Sequence, residues 1–399
     1  MKSNYKQLGQ FIRQVDVRNA AGKEENLLGV SVQKTFIPSI ANTVGTDFTK
    51  YKVVRRGQFT YIPDTSRRGD KIGIALLSDY EEGLVSNVYT TFEVIDKNEL
   101  LPEYLMLWFS RPEFDRYARF KSHGSVREVM DWDEMCKVQL PVPPISVQRD
   151  IVKAYQTITN RIALKRQVND NLAKTIKAVF KSWFLDFDAF DGVELVQSQY
   201  GLIPNGWHYE LLGNLCDCVT KGTTPTTLGK DFTDTGINFI KGESINDDHS
   251  FNKTLFAHID DETDELLKRS RIYVNDIVFT IAGTLGKFAL VDSSVIPANT
   301  NQAVAIIRTS KIMPAMLYSY FIGEWQVEFY KRNTQQAVQA NLSLGTIKDL
   351  PILLPDSKGQ DHYMQLVTPL IVGMQNNFSE IERLYELQNQ LLARLSSSR

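Results

Sequence analysis

The chain has 399 residues, of which 43% are hydrophobic, and its 45 Lys and Arg nearly balance its 47 Asp and Glu. Its length predicts two or three domains, each large enough to bury its own core. Three cysteines exclude a disulfide framework, and no segment has the roughly 18 uncharged apolar residues of a membrane span. Because the polar N-terminus has no signal-peptide core, we expect a cytoplasmic protein without membrane contact.

Residues 1–147 combine short strand-like runs with one helix-like run. Three runs are rich in β-branched and aromatic residues and are bounded by glycine or turn residues, which is typical of strands. A helical spacing of apolar residues follows them. This segment therefore predicts a mixed α/β globular domain. Its strand-like runs cover 51–62, 71–77 and 88–95, and its helix-like run covers 102–120.

The segment 148–185 has apolar residues spaced three and four apart, as in helices that pack along a seam. The predicted helix covers 146–185, and at 1.5 Å per residue it would span roughly 60 Å. The segment contains eight Lys or Arg and two Asp. A basic helix is commonly just a solvated one, and the alternative is that it faces a polyanion or an acidic partner.

Residues 186–355 repeat the order of elements seen in 1–147. They open with an acidic, turn-rich linker, and overall they contain 13 basic and 21 acidic residues. The last segment, 356–399, contains a second long helix predicted over 361–396. Between linker and helix lie strand-like runs at 271–281, 286–291 and 301–308 and a helix that begins at Pro314.

The two halves match when the first is shifted by 212 residues. The shift places Gln148 on Gln360 and Phe109 on Phe321, and a proline-punctuated strand precedes each long helix. A repeat of this kind predicts an α+β fold with two pseudo-symmetric repeats, each a mixed α/β globular domain followed by a long helix. Because a globular segment separates the long helices, we expect them to form an antiparallel coiled coil. A bundle inside one compact domain is the alternative.

Signatures of catalysis are missing from the sequence. The segment 222–231, "GTTPTTLGKD", has the wrong spacing for a phosphate loop, and Asp231 replaces the Ser or Thr that would hold magnesium. The sequence has no G-x-G-x-x-G and no Asn- or Asp-Pro-Pro-aromatic tetrapeptide of the amino-methyltransferases. Its five histidines lack metal-ligand spacing. We therefore predict a protein with no catalytic residue, no metal and no cofactor.

Basic and amide side chains suit nucleic acid instead. Lys and Arg contact phosphates and guanine, and Gln can form two hydrogen bonds to adenine. One charge cluster is more often a solvated surface, so it is the recurrence of such clusters in both halves that favours DNA. Gln335, Gln336 and Gln339 are the candidate base readers. The other candidate DNA-binding residues are Arg55, Arg56, Arg67, Arg68, Lys71, Lys121, Ser122, Arg127, Lys221, Lys241, Lys287 and Lys331.

The arrangement resembles the specificity (S) subunit of type I restriction-modification enzymes over essentially the whole chain. The resemblance rests on "LPVPPISVQRDIV" at 140–152, "AKTIKAVFKSWFLDF" at 173–187, "LIPNGWHYELLGNL" at 202–215 and the leucine-rich last helix. The first half departs from the family because it lacks the "IP-x-GW" opening. The second helix entry departs because it lacks the P-P-x-x-x-Q spacing.

The resemblance implies that 1–147 is one target recognition domain and that 186–355 is a linker with a second one. Each would read one half of a bipartite site in double-stranded DNA. The helices of 148–185 and 356–399 would set the spacing and dock two methyltransferase (M) subunits, through which restriction (R) subunits join. The chain itself would be non-catalytic, because its partners supply the chemistry. A coiled-coil adaptor with two protein-binding heads and a stand-alone enzyme are the alternatives.

Overall fold

The computed structural model describes residues 5–39, 45–64, 71–122, 128–190, 192–327, 329 and 341–396. The chain divides into two compact units. The first unit comprises Met1–Ile162 and Glu382–Arg399, and the second comprises Ala163–Ile381. Each unit therefore contains one globular region and a segment of each long helix. In the described residues, no helix is long and apolar enough to cross a membrane.

The first unit is built from short strands and three short helices, followed by the first long helix. Four of its strands form an antiparallel sheet in the order β2-β10-β7-β8. The strands are β1 Tyr5–Gln7, β2 Ile12–Gln14, β3 Val17–Arg18, β4 Leu28–Val30, β5 Phe36–Pro38, β6 Lys52–Arg55, β7 Gln58–Tyr61, β8 Ile74–Leu76, β9 Glu82–Val85, β10 Thr90–Val94 and β11 Gln139–Pro141. The helices are α1 Pro102–Phe109, α2 Pro112–Lys121, α3 Trp132–Lys137 and α4 Ile145–Phe184, of which α4 continues into the second unit.

Two runs of the first unit are split where the sequence analysis predicts one element. The strand predicted over 51–62 is two strands, β6 and β7, because Gly57 adopts φ +86° in the turn between them. The helix predicted over 102–120 ends at Phe109 and restarts at Pro112. Proline disfavours a helical conformation of the preceding residue, and Arg111 is accordingly extended, with φ −76° and ψ 140°.

The second unit repeats this sheet, as β15-β21-β18-β19, and adds a three-stranded sheet in the order β17-β16-β20. Its strands are β12 Leu195–Ser198, β13 Gly201–Pro204, β14 His208–Leu211, β15 Cys216–Lys221, β16 Ile237–Ile240, β17 Ala257–Ile259, β18 Ile277–Thr280, β19 Phe288–Leu290, β20 Ala298–Thr300, β21 Val304–Thr309 and β22 Pro351–Leu354. Its helices are α5 Leu212–Leu215, α6 Asp261–Leu266, α7 Pro314–Ile322, α8 Leu344–Lys348 and α9 Ser357–Arg394, of which α9 ends in the first unit.

In each unit, α-helices cover one face of the four-stranded sheet. In the first unit, Phe59 and Phe92 are fully buried and stack with ring centroids 4.8 Å apart, and Phe59 also contacts Phe109 of α1 edge to face. In the second unit, Phe279 contacts Phe321 of α7 with ring centroids 5.4 Å apart and the two rings tilted by 36°. The buried aromatic rings explain why the strand and helix patterns of the two halves agree.

The two long helices run antiparallel within the second unit. Lys165 of α4 forms an ion pair of 2.8 Å with Glu380, whereas Trp183, further along α4, contacts His362, which is earlier in α9. Helix α9 begins at Ser357, before the predicted 361, because the Asp356 carboxylate accepts a hydrogen bond from the backbone N–H of Gly359. The predicted antiparallel pairing is confirmed.

Candidate nucleic-acid interface

The end of β7 and the start of β8 form one edge of the sheet in the first unit, which we call its loop edge. Here the backbone N–H of Met130 donates a hydrogen bond to the carbonyl oxygen of Pro63 at 3.0 Å, and Asp64 forms an antiparallel bridge with Val129. Two segments that contain candidate DNA-binding residues, 63–73 and 121–128, therefore begin or end at the same place, and we call them the basic loops. Residues near 63 and near 130 meet here because β7 ends at this edge of the sheet.

Lys71, Lys121 and Ser122 flank the loop edge of the first unit. Lys71 is exposed and lies shortly before β8, whereas Lys121 is the last residue of α2. Ser122 is buried, and its hydroxyl donates a hydrogen bond to the carbonyl oxygen of Ala118 at 2.7 Å. Lys71 thus presents its charge to solvent and Lys121 is half-buried, while the Ser122 hydroxyl is engaged within the protein.

Arg55 and Arg56 lie at the opposite end of β7, because Arg55 is the last residue of β6 and Arg56 begins the turn that leads into β7. Arg55 pairs with Glu82 at 3.4 Å, and Arg56 pairs with Glu81 at 2.9 Å. The length of β7 separates both arginines from Lys71, so the structure does not bring these basic residues together. Seven further candidates lie outside the described residues: Arg67, Arg68, Arg127, Lys331, Gln335, Gln336 and Gln339.

The loop edge of the second unit is the corresponding edge, where β18 ends and β19 begins. The backbone N–H of Leu342 donates to the carbonyl oxygen of Ile281 at 2.9 Å, which matches the bond from Met130 to Pro63 in the first unit. Lys221 ends β15 and Lys287 directly precedes β19, and both strand ends lie at this edge. The fold therefore brings two predicted lysines, 66 positions apart in sequence, to one edge.

Lys241 follows β16 and belongs to the same edge of the second unit. The carbonyl oxygen of Ile240, its neighbour, accepts a hydrogen bond from the Thr300 hydroxyl at 2.7 Å. Residue Asn301 in turn accepts from the backbone N–H of Gly222, which follows Lys221. The ammonium group of Lys241 lies 4.7 Å from the centre of a phenylalanine ring, at Phe232. Lys241 follows a strand of the three-stranded sheet and Lys221 ends a strand of the four-stranded sheet. These hydrogen bonds therefore place the two lysines at the same edge.

Acidic side chains partly neutralise this edge. Lys287 forms an ion pair of 2.9 Å with Asp247, whose side chain is 90% exposed, and Lys241 lies 4.0 Å from Glu243. Exposed ion pairs of this kind contribute little free energy, so a phosphate could replace either carboxylate at small cost. The lysines remain available to an anionic ligand.

Gln302 is an exposed amide at the loop edge of the second unit that the sequence analysis did not single out. The hydroxyl of Thr224 donates a hydrogen bond of 2.6 Å to the Gln302 side-chain oxygen, which orients the amide. The NH2 group can then donate to a ligand while the oxygen keeps a second lone pair. Its partner lies 78 positions away in sequence, so no local pattern signals this arrangement.

His249 lies beside the same edge and is held in a neutral form. Its ring stacks on Phe288 with centroids 4.1 Å apart, and its backbone adopts φ +68°. Burial lowers the pKa of His249, although the nearby Asp248 and Asp247 oppose this shift. The imidazole therefore packs as an aromatic side chain and adds no positive charge at neutral pH.

Metal-binding clusters and reactive cysteines are two kinds of group suited to catalysis. In that part of the chain, no three His, Cys, Asp or Glu side chains are placed to hold a metal ion. The cysteines Cys136, Cys216 and Cys218 are free thiols, and burial raises the pKa of Cys216 to about 12. A thiol with that pKa stays protonated at neutral pH and is a poor nucleophile.

Comparison with known proteins identifies a repeated family match. The sequence model described as "Type I restriction modification DNA specificity domain" matches residues 19–174 and 204–382. The type I restriction enzyme MjaIX specificity subunit of Methanocaldococcus jannaschii is 23% identical over 308 residues, which cover 76% of this chain and 70% of that protein. The HindI specificity subunit of Haemophilus influenzae is 23% identical over 414 residues, which cover 86% of each.

A solved structure shows the same fold. The crystal structure of the type I restriction-modification system S subunit from M. genitalium aligns with 98% of this chain and 95% of its own, with a TM-score of 0.54 and 13% identity. The first match contains strands β7, β8 and β10 of one four-stranded sheet, the second contains all four strands of the other, and each includes part of one long helix.

Proposed function

The chain belongs to the type I restriction-modification DNA specificity family, and we propose that each of its two loop edges reads one half of a bipartite DNA target. As a specificity subunit it supplies sequence recognition to a complex and does not itself catalyse a reaction. The proposal adds to this established role a location for DNA contact. It assigns the first half-site to the loop edge of the first unit and the second half-site to that of the second unit.

The observation that carries the proposal is that equivalent hydrogen bonds return equivalent loops to the two edges. Met130 bonds to Pro63 in one unit and Leu342 bonds to Ile281 in the other, and a shift of 212 positions relates Met130 to Leu342. Lysines flank both edges, as contact with phosphates requires. Two heads built on one plan suit a target with two parts.

Contacts to phosphate and contacts to bases have different candidates. Lys71 and Lys121 in the first unit, and Lys221, Lys241 and Lys287 in the second, would position the protein on the DNA backbone, together with Arg67, Arg68, Arg127 and Lys331. Arg55 and Arg56 would take part only if the duplex extended beyond the loop edge, and Ser122 only if its hydroxyl left the carbonyl oxygen of Ala118. In the second unit, base reading falls to amides, for which Gln302 joins Gln335, Gln336 and Gln339.

The long helices would dock two methyltransferase subunits, and restriction subunits would join through these in the cytoplasm. The domain limits that we propose are 1–147, 148–185, 186–355 and 356–399. Apolar side chains more than a third exposed occur along both helices, as expected of a surface that a partner covers. They include Val147, Leu164 and Val168 on α4 and Leu366, Val372 and Leu387 on α9.

An exchange of units tests the proposal. Residues 1–147 are replaced by the equivalent segment of another specificity subunit, and the modified bases in host DNA are mapped by sequencing. The expected result is a new sequence in one half-site, with the other half-site and the spacer unchanged. The matched exchange of 186–355 should change the other half-site. A change in both half-sites after either exchange would contradict the proposal, and complexes without sequence preference would support the adaptor alternative.

A further inference from the structure

A buried ion pair lies behind the loop edge of the first unit. Lys34, in the turn between β4 and β5, has a left-handed backbone with φ +65°. Its ammonium group donates to the Asp115 carboxylate at 2.7 Å and to the carbonyl oxygen of Phe109 at 2.6 Å. The two side chains are only 8% and 10% exposed. The turn is thereby attached to the end of α1 and to α2 by buried bonds.

The same carboxylate also holds the chain that enters β8. Asp115 accepts a hydrogen bond of 3.2 Å from the backbone N–H of Ile72, which follows Lys71. Helix α2, which carries Asp115, ends at Lys121, where the basic loop 121–128 begins. One side chain therefore fixes the end of one basic loop relative to the start of the other.

The fold itself does not depend on this ion pair. The 212-residue shift that relates the two halves places Val327 at the position of Asp115. The second unit thus builds the same four-stranded sheet with an apolar residue at that position. Removing both charges from water also offsets much of their attraction, and burial accordingly lowers the pKa of Lys34. Stability alone is a weak reason for the first unit to contain it.

We infer that Lys34 and Asp115 are positioning residues for DNA reading by the first unit, acting through Ile72 and α2 on the two basic loops of its loop edge. This inference rests on the proposed function, because it requires that this edge reads a half-site. Neither side chain is exposed enough to contact DNA. Because the phosphate contacts of these loops fix the register of the first unit on the duplex, the pair sets sequence discrimination at the first half-site and leaves the second half-site unaffected.

The test uses the complex reconstituted with its methyltransferase subunits and the double variant Lys34→Met/Asp115→Leu. Replacing both charges avoids leaving one of them buried and unpaired. Methylation is measured on the target, on DNA with a changed first half-site and on DNA with a changed second half-site. Discrimination at the first half-site should fall tenfold or more, whereas discrimination at the second should equal that of the wild type. The slope of log affinity against log salt should change by less than about one, because Lys71 and Lys121 themselves are retained.

The control is Lys50→Met, which removes an exposed ion pair of the same unit, at 3.4 Å from Asp47. It should leave discrimination at both half-sites intact. A double variant with wild-type folding, as judged by circular dichroism and thermal unfolding, that still discriminates normally at the first half-site overturns the inference. If the unit exchange assigns no half-site to the first unit, the proposed function fails instead, so the two failures are distinguishable.

Discussion

In the first unit the backbone N–H of Leu8 donates to the carbonyl oxygen of Val138, and in the second the N–H of Leu212 donates to that of Leu350, both at 2.8 Å. The residue that follows is Gly9 or Gly213. A Cβ atom on either glycine would lie 2.8 Å from the Cβ of a residue in the short helix that precedes the entry strand. Backbone bonds and close approaches of this kind are repeated almost atom for atom.

The polar side chains that support the loop edges are not repeated. Asp115 joins Lys34 to Ile72 in the first unit, and Val327 replaces it in the second. The second unit instead orients an exposed amide, Gln302. The difference indicates that the framework is under one constraint, which is to build the sheet and helix entry. The side chains that support the loop edges are under a different constraint, which is the DNA sequence that each unit reads.

The largest effect is expected where the two units are most alike. Gly9→Ala and Gly213→Ala should each destabilise their own unit by about 1–3 kcal/mol, because the new methyl group overpacks a rigid contact. Hydrogen exchange followed by mass spectrometry assigns the loss to a unit. Gly29→Ala is the control, since its Cβ would meet Ile37 at an ordinary 3.6 Å. A large cost in only one unit would show that the frameworks are less equivalent than their bonds suggest.

The starts of the two long helices offer a sharper comparison, because the glutamine near the start of α4 makes more hydrogen bonds than its counterpart in α9. The Gln148 side chain is buried, accepts from the N–H of Leu101 and donates to the carbonyl oxygens of Glu99 and Pro143. Gln360, at the equivalent position, donates only to that of Pro355 among the bonds identified in the described residues.

Gln148→Ala should therefore cost about 1–2 kcal/mol more than Gln360→Ala. The first substitution leaves buried backbone groups without partners, whereas Gln360→Ala removes a single hydrogen bond of a half-exposed side chain. Denaturant unfolding of the two variants, followed by unit-resolved hydrogen exchange, provides the comparison. Equal losses would mean that the additional bonds of Gln148 contribute nothing net to the stability of the first unit.

Sequence reasoning predicted the repeat, the antiparallel helices and the family, because these depend on periodicity and on motifs that are local. The position of the loop edges depends instead on strand order, which no local pattern encodes. Arg55 and Arg56 are close in sequence to Lys71, yet a strand separates them. Lys34 and Asp115 are 81 positions apart and in contact. Pro112 is a sequence signal for the break between α1 and α2. The helical spacing of apolar residues continues on both sides of it, and the sequence analysis therefore predicted one helix.

The opposite ends of β7 give the next prediction, which concerns DNA. In the reconstituted complex, Lys71→Ala should weaken binding to all sequences and reduce the slope of log affinity against log salt by about one, as loss of one phosphate contact does. Arg56→Ala should change the slope much less, because that arginine lies at the other end of β7, away from the loop edge. The reverse result would move DNA contact to the β6–β7 turn.

The smallest expected effect is a pH dependence of the stability of the second unit. The unfolded chain binds a proton at His249 with an ordinary pKa near 6.5, whereas burial against Phe288 lowers the pKa in the folded state. As the pH falls below about 6.5 the unfolded state gains a proton that the folded state resists. Stability is therefore lost until the folded pKa is reached, at no more than ~1.4 kcal/mol per pH unit.

His249→Asn should flatten this acid dependence, and asparagine tolerates the left-handed backbone at this position. Unfolding of the second unit is measured between pH 7 and 5 by unit-resolved hydrogen exchange, corrected for the intrinsic exchange rate. His208→Asn, which changes an exposed histidine of the same unit, should leave the acid dependence as in the wild type. The neighbouring Asp247 and Asp248 favour the protonated ring, so a wild-type slope in His249→Asn would mean that their attraction cancels the cost of burial.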